Sequence, residues 1–581
     1  MSPRINHLND THDMIQRAHL MGGSPFILPW ISFADFFYSR VRDPHLATRT
    51  VLTYYDDKRR ACRRYRYTEF GLLVQCAATV MHCRFGLRRG DRIATVLFNH
   101  DQTVLVYFAA WVLGVVVVPI NVDEPPDKKQ YILEHSEALV VFCWQDFLDE
   151  IKSIQSHLHG LRDVVVVGED RRCGRLFIDE VAAVESSQRF LDDDIPDGDL
   201  NDDALIVYTS GTTGPPKGVI LSALNLLIDA DGIANWHNFS VADRLMCVLP
   251  IHHVNGIVVT LVTPFYCKGE VVLNRSFTTE MFWRRIQQEQ VTCVSVVPTL
   301  LEFLLEENED ITSYRLKRCR GMICGAGPLL KETAVRFDDR FGFLIRHGYG
   351  LSETTCYSCF LPSDLGPDHH RRWLTAYEFP SIGIPIRHNE MTIMDDQGVE
   401  VSEKAHGEIC IRGRTVCSGY FKRPEANETA FRDGWFRSGD EGFFIRDDQD
   451  RPFFFISGRL KELIIRGGVN ISPLEIDDVL KTHPSVKFAM AVPFENRFYG
   501  EEIAAYIVPR GGTEPPTESD LMNFCERHLP FAKRPKAIVF GHDVPYTATG
   551  KPKRLELKAK LAHALIRYRD TQFRDIHKSY R

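Results

Sequence analysis

Residues 208–219 read "YTSGTTGPPKGV", with four hydroxyl residues, three glycines, two prolines and one lysine. The run "ALIVY" (Ala204–Tyr208) precedes it, apolar and β-rich, so the loop leaves the end of a buried strand. Taken alone, a Gly/Pro/Ser/Thr cluster also reads as a solvated surface loop. Its position argues for more, because open α/β sheets bind ligands at strand ends. Glycines let backbone N–H groups curl around an anion, hydroxyls add donors, and a lysine supplies a point charge, which together suit phosphate. The Walker pattern needs Gly directly before the lysine and Ser or Thr directly after it. Here Pro216 precedes Lys217 and Gly218 follows, which disfavours a P-loop kinase or GTPase.

Outward from the loop, helical and strand-like apolar segments alternate from Thr68 to Cys143, and a second such region runs from about Ala204 to Gly350. This repetition predicts parallel sheets with helices on their faces. The uncharged stretch Val104–Val122 is just long enough to span a bilayer. Gly114 divides it into a helix-like half and a β-branched half, so helix, turn and buried parallel strand is the preferred reading. Glu185–Asp203 reads as an acidic surface connector. From about Ile382 to Arg459 short strands and turns predict hairpins or a small barrel. Beyond Arg459 the pattern strand, turn, strand, helix, strand opens a compact α+β unit.

The expected fold class is therefore α/β: a large N-terminal domain (1–460) of βα-layered subdomains with a small barrel-like β subdomain, then a small mobile α+β C-terminal domain (461–581). A chain of 581 residues exceeds the usual ceiling of one hydrophobic core, which requires at least two domains. Its 70 basic and 77 acidic residues are too balanced to advertise a nucleic-acid partner. Fifteen cysteines scattered through the chain, with a polar N-terminus, predict free thiols in a cytoplasmic protein with no membrane span. "CYSC" (Cys356–Cys359) has no second CxxC or CxxH partner in the sequence, so metal binding there is disfavoured.

Further motifs follow in order: "LPIHHVNG" (249–256), "CGAGPL" (324–329), "HGYGLSETT" (347–355), "GYFKRPEANETAF", "GWFRSGD", "GRLKELIIRGGVNISPLEI" and "PYTATGKPKR". With the loop at 208–219, this set resembles the adenylate-forming superfamily of acyl-CoA synthetases, adenylation domains and firefly-type luciferases, over roughly Ser32 to Leu561. The resemblance implies two half-reactions: a carboxylate and ATP give acyl-adenylate and pyrophosphate, then a thiol displaces AMP. It implies that Thr209, Ser210, Gly211, Thr212, Thr213, Gly214 and Lys217 hold the β- and γ-phosphates. It places adenine against Tyr349 and Gly350, beside Gly325, Ala326 and Gly327. Ser352 and Glu353 form the "SET" segment, with Glu353 as the Mg²⁺ ligand. Asp440, helped by Arg459, accepts from the ribose hydroxyls. Lys551 bridges carboxylate and α-phosphate, aligning nucleophile with electrophile.

By the same resemblance His253, counted from Pro250, lines the acyl pocket, together with Asn255, Gly256, Cys324, Cys356 and Ser358. This mixture of small and polar groups favours a short, polar or aromatic acid over a long fatty chain. Gly467, Gly468 and Val469 in "RGGVN" would let pantetheine pass, favouring coenzyme A as the thiol. Lys461, the second residue after Arg459, is the implied hinge. The expected activity is an AMP-forming carboxylate:CoA ligase, using ATP, Mg²⁺ and coenzyme A on a small-molecule carboxylic acid. The alternatives are a stand-alone enzyme that loads a carrier protein and a non-catalytic nucleotide- or acyl-binding relative. Retention of Lys217, Glu353, Asp440 and Lys551 argues against the last.

Overall fold

A computed structural model describes residues 12–20, 26–185, 198–209, 215–307, 309–467, 469–512, 514–547 and 551–573. Most of the acidic connector (186–197) lies outside these residues. Three sheets organise the rest. The first has six strands in the order Asp163–Val167, Val140–Trp144, Arg92–Val96, Val116–Ile120, Asp203–Thr209 and Lys217–Ser222. Its central strands are parallel and near-continuously apolar, as expected of strands covered on both faces. The helix Asp101–Val112 is buried on every side, starts with the His100 side chain accepting from the Gln102 N–H, and ends before Gly114 at φ +68°. There the chain turns back as Val116–Ile120. Among the described residues no helix is long and apolar enough to cross a membrane.

The phosphate loop is placed differently from the sequence expectation. Asp203–Thr209 and Lys217–Ser222 form an antiparallel hairpin, Thr209 opposite Lys217, on the edge of the first sheet. The two strands that flank the loop are thus the arms of a hairpin, and the second βα region starts at Arg244 rather than Ala204. Conversely, Thr50–Asp56 and Ala61–Arg66, early in the chain, join the second sheet beside Glu270–Asn274.

That second sheet continues through the parallel strands Arg244–Cys247, Cys293–Val296, Met322–Cys324 and Ile345–Tyr349. Cys359–Phe360 and Ser381–Pro385 then link it to antiparallel strands Pro452–Arg459, Trp435–Arg446, Gly407–Gly413 and Asn389–Met394. The expected small β unit is this antiparallel ladder, continuous with the parallel half. A single apolar cluster runs between the first and second sheets. The helix Ala223–Trp236 crosses it, started by a capping box in which Ser222 and Asn225 satisfy each other's exposed N–H groups.

The third sheet holds Val469–Ile471, Ile464–Arg466, Gly500–Pro509 and Val486–Asn496, with Ala537–Phe540 beside Gly500–Pro509. Its two apolar clusters are its own. Charge pairs tie it to the larger part: Lys481 to Glu302 at 2.6 Å, Lys487 to Glu306 at 3.1 Å and Lys533 to Glu378 at 3.8 Å.

Candidate active site

Lys217, the "SET" turn and Lys551 come together around Glu353. Ser210, Gly211, Thr212, Thr213 and Gly214 lie outside the described residues, as does Gly468. Lys217, at the start of its strand, holds its ammonium 4.8 Å from the ring centroid of Tyr420. The Tyr420 hydroxyl donates to Glu353 Oε1 at 2.9 Å. Tyr420 reaches this position because residues 418–421 lie along the phosphate hairpin: the Ile220 N–H donates to Gly419, and the Ser418 and Phe421 N–H groups donate to Ile220 and Gly218. Burial, then the Glu353 carboxylate, hold the Tyr420 phenol far above its usual range, so it stays a donor. The "SET" residues form a single tight turn, Ser352–Thr354, followed by Thr355 at φ +64°. A side chain in that conformation is strained. Its hydroxyl bond to the Thr415 carbonyl at 2.6 Å, and the Cys417 N–H bond to the Glu353 carbonyl at 2.8 Å, hold it there.

The second group forms where the antiparallel ladder meets Ile345–Tyr349. Tyr349 donates its hydroxyl to Asp440 Oδ2 at 2.6 Å, while Arg459 Nε sits 2.9 Å from Asp440 Oδ1. Asp440 is almost fully buried, yet both oxygens are engaged, which satisfies a buried charge. The carboxylate in turn raises the Arg459 guanidinium above its usual range. Gly350 is obligatory here: a Cβ would lie 1.9 Å from the Cys356 carbonyl. Lys551 enters from the C-terminal unit. Its backbone is pinned to Thr547 in both directions, N–H to Oγ1 at 3.0 Å and carbonyl to N–H at 2.7 Å. Its Cγ lies 3.9 Å from where a Cβ on Gly327 would stand. Burial, then Arg459, push the Lys551 ammonium down to about 8, against the pull of Asp440, Glu353 and Cys356. Lys551 therefore shares one electrostatic neighbourhood with Glu353, Asp440 and Arg459.

The family model described as "AMP-binding enzyme" matches residues 45–421 of this chain, and "AMP-binding enzyme C-terminal domain" matches 475–551. The chain belongs to the AMP-binding enzyme family. A sulfoacetate–CoA ligase of Cupriavidus necator is 34% identical over 491 residues, covering 84% of this chain and 91% of that one. An oxalate–CoA ligase of Arabidopsis thaliana is 30% identical over 489 residues, covering 83% and 90%. Among solved structures, ATP-bound MatB from Rhodopseudomonas palustris superposes with a TM-score of 0.79 at 26% identity, over 91% of this chain and 99% of that one.

In this AMP-binding enzyme the residues expected on the acyl side meet around Tyr357. Asn255 donates to the Tyr357 hydroxyl at 3.3 Å and accepts from Ser295 at 2.6 Å. Gly325 makes room for that same hydroxyl, which would lie 2.6 Å from a Cβ. His253 packs against His252, ring centroids 4.4 Å apart with the planes tilted at 52°, and burial holds its pKa well below the usual imidazole range, with His252 and Lys551 adding to the effect. Cys324 and Cys356 are buried thiols, both raised by burial. Ser358 donates its hydroxyl to Thr354 at 2.9 Å and so braces the "SET" turn. Gly256 lies against the Pro250 carbonyl, 2.4 Å from a Cβ position, and serves the backbone there. Ala326, at φ +63°, holds the "CGAG" turn. Thr209 points its hydroxyl at the Lys217 carbonyl, 3.5 Å away. Lys461 is exposed in the turn after Pro452–Arg459. The Gly467 N–H donates to the Tyr499 carbonyl at 2.7 Å, in the turn between Val486–Asn496 and Gly500–Pro509. Tyr357 falls within the pocket segment expected from the sequence, Cys356 to Ser358, whereas Tyr420 and Asp229 were not singled out. The last is fully buried within Ala223–Trp236, where "LLIDADGI" sets charged residues in an apolar helix.

Proposed function

We infer that this AMP-binding enzyme is an ATP-dependent carboxylate:CoA ligase: acid and ATP give acyl-adenylate and pyrophosphate, and coenzyme A then gives acyl-CoA and AMP. The observation that carries it is the delivery of Lys551 onto the group formed by Glu353, Asp440 and Arg459. Binding a nucleotide does not need a second lysine beside Lys217. Joining a carboxylate to an α-phosphate does, because charge grows on that phosphate in the transition state and a preplaced ammonium meets it. The relatives named for sulfoacetate and oxalate as CoA ligases support the same reading.

In this reading Thr209, Lys217 and the loop between them orient the departing pyrophosphate. Tyr420 sits between Lys217 and Glu353 and fixes both. Asp440 takes the ribose hydroxyls, trading the Tyr349 bond for them while Arg459 keeps its charge in place. The Glu353 carboxylate accepts the Tyr420 hydroxyl and has no ion pair among the described residues, which suits an ion that takes one protein carboxylate and phosphate oxygens. Mg²⁺ held there would supply charge neutralisation on the phosphates. Lys461 would be the hinge about which the C-terminal unit turns to exchange Lys551 for the hairpin at Gly467, and the thiol would enter beside that hairpin. All fifteen cysteines are unpaired, which suits a reducing cytosol.

The test is ATP–pyrophosphate exchange across a panel of acids, followed by coenzyme A. Acid-dependent exchange and CoA-dependent release of AMP are expected. Release of ADP would sink the assignment. Exchange without turnover on coenzyme A, restored by a phosphopantetheinylated carrier, would favour the carrier-loading alternative.

A further inference from the structure

Buried polar atoms are almost always hydrogen-bonded, and an exception at a site points to a missing partner. Three such exceptions gather on the acyl side. Asp229 is fully buried, with Oδ2 accepting from the Tyr357 N–H at 3.2 Å, while Oδ1 is buried and unpartnered. The neighbouring Nε2 atoms of His252 and His253 are likewise buried and unpartnered. Tyr357 links them: its N–H is held by Asp229, and its hydroxyl accepts from Asn255, two residues beyond His253.

We propose, resting on the ligase reading above, that Asp229 is the specificity-determining residue of the acyl site, and that the substrate is a short acid whose far end carries a hydrogen-bonding oxygen. An alkyl tail would leave Asp229 Oδ1 and the two imidazole nitrogens without partners, and unmade bonds of this kind are what let a polar site reject an apolar isostere. A tail oxygen, from a hydroxyl or a second acidic group, supplies the missing partner. Burial disfavours the charged form of each group: it raises the Asp229 carboxyl above its usual range and lowers His252 to about 4.

The experiment compares isosteric acids in ATP–pyrophosphate exchange: γ-hydroxybutyrate against pentanoate, glycolate against propionate, and succinate as the acidic-tailed arm. At least one oxygen-tailed acid should exceed its alkyl counterpart about tenfold in kcat/KM, the scale of a buried hydrogen bond made or left unmade. Asp229→Leu should erase or reverse that preference, and Asp229→Asn should retain it, with an ATP-induced shift in melting temperature showing that each variant is folded. If Asp229→Leu does not fold, Asp229→Ala takes its place. A wild-type preference for the alkyl acids overturns the proposal, as does a folded Leu or Ala variant that keeps the wild-type preference. Those outcomes leave the ligase reading standing, whereas failure of every acid to support exchange overturns that reading and this proposal with it.

Discussion

Where the first two sheets meet, Phe37 stacks on Phe265 with ring centroids 5.5 Å apart, and Phe108 meets the same ring at 5.1 Å. Where the third sheet meets the rest, Lys481, Lys487 and Lys533 face Glu302, Glu306 and Glu378. The energetics differ as much as the chemistry. Each large aromatic buries 150–250 Å², which at about 25 cal/mol per Å² contributes several kcal/mol. Ion pairs at a partly exposed seam contribute about 0–1 kcal/mol each and weaken with salt. The first joint is therefore permanent. The second holds the orientation that brings Lys551 inside through these pairs, with Leu474 as an apolar contact to the second sheet's cluster.

The largest effect should come from removing the group that this seam delivers. Lys551→Ala should slow acyl-adenylate formation by ~10²- to 10³-fold, the usual loss of one preplaced donor to a charged transition state. Thioester formation from supplied acyl-adenylate should stay near normal, because the ammonium has no part in thiol attack. Equal loss in both half-reactions would break the comparison. Next in size, Lys461→Pro fixes φ near about −65° in the turn where the proposed rotation occurs. It should keep ATP–pyrophosphate exchange and lower CoA-dependent turnover by about tenfold or more, since only the second step needs the other orientation. A variant that loses both halves together would place the hinge elsewhere.

A pH profile sharpens the same contrast. The Lys551 ammonium titrates near 8, lowered by burial and then by Arg459. Bridging two anions requires the protonated form, so kcat/KM for adenylation should fall as pH rises through about 8, approaching tenfold per unit beyond it. Lys551→Arg, whose charge persists, should remove that alkaline limb even if its rate is lower. A limb that survives in the arginine variant would belong to another group.

Much of this was legible in the sequence because motifs are local. "SET" and "SGD" each place their residues within one turn or strand, and strand, turn, strand, helix, strand after Arg459 matches Ile464–Arg466 through Val486–Asn496. What escaped depends on pairing between distant segments. Tyr420 stands in a quoted motif, but only the alignment of residues 418–421 with Lys217–Ser222 puts it between Lys217 and Glu353. The hairpin itself was missed because "ALIVY" reads equally well as a parallel strand feeding a helix. Asp229 did leave a signal, a carboxylate amid "LLI" and "GI", since charged residues are rarely buried without purpose.

The smallest effect tests the seam itself. Glu302 takes Lys481 at 2.6 Å and the Thr333 hydroxyl, with Arg336 at 3.8 Å. Burial opposes ionisation of Glu302, yet Lys481 and these bonds outweigh it and hold the carboxyl below its usual range. In the proposed rotation about Lys461, Lys481 leaves with the C-terminal unit, so the pair stabilises only the orientation with Lys551 inside. Glu302→Gln keeps the shape and removes the charge. At about 1 kcal/mol for such a pair, it should shift the balance of orientations by about fivefold. Adenylation should slow by up to that factor, while thioester formation from supplied acyl-adenylate should hold or rise. Raising salt should slow wild-type adenylation in the same direction and affect Glu302→Gln less, because screening removes what the substitution has already removed. If both half-reactions slowed together, or salt acted equally on both proteins, Glu302 and Lys481 would be a surface pair and not a catch on the moving unit.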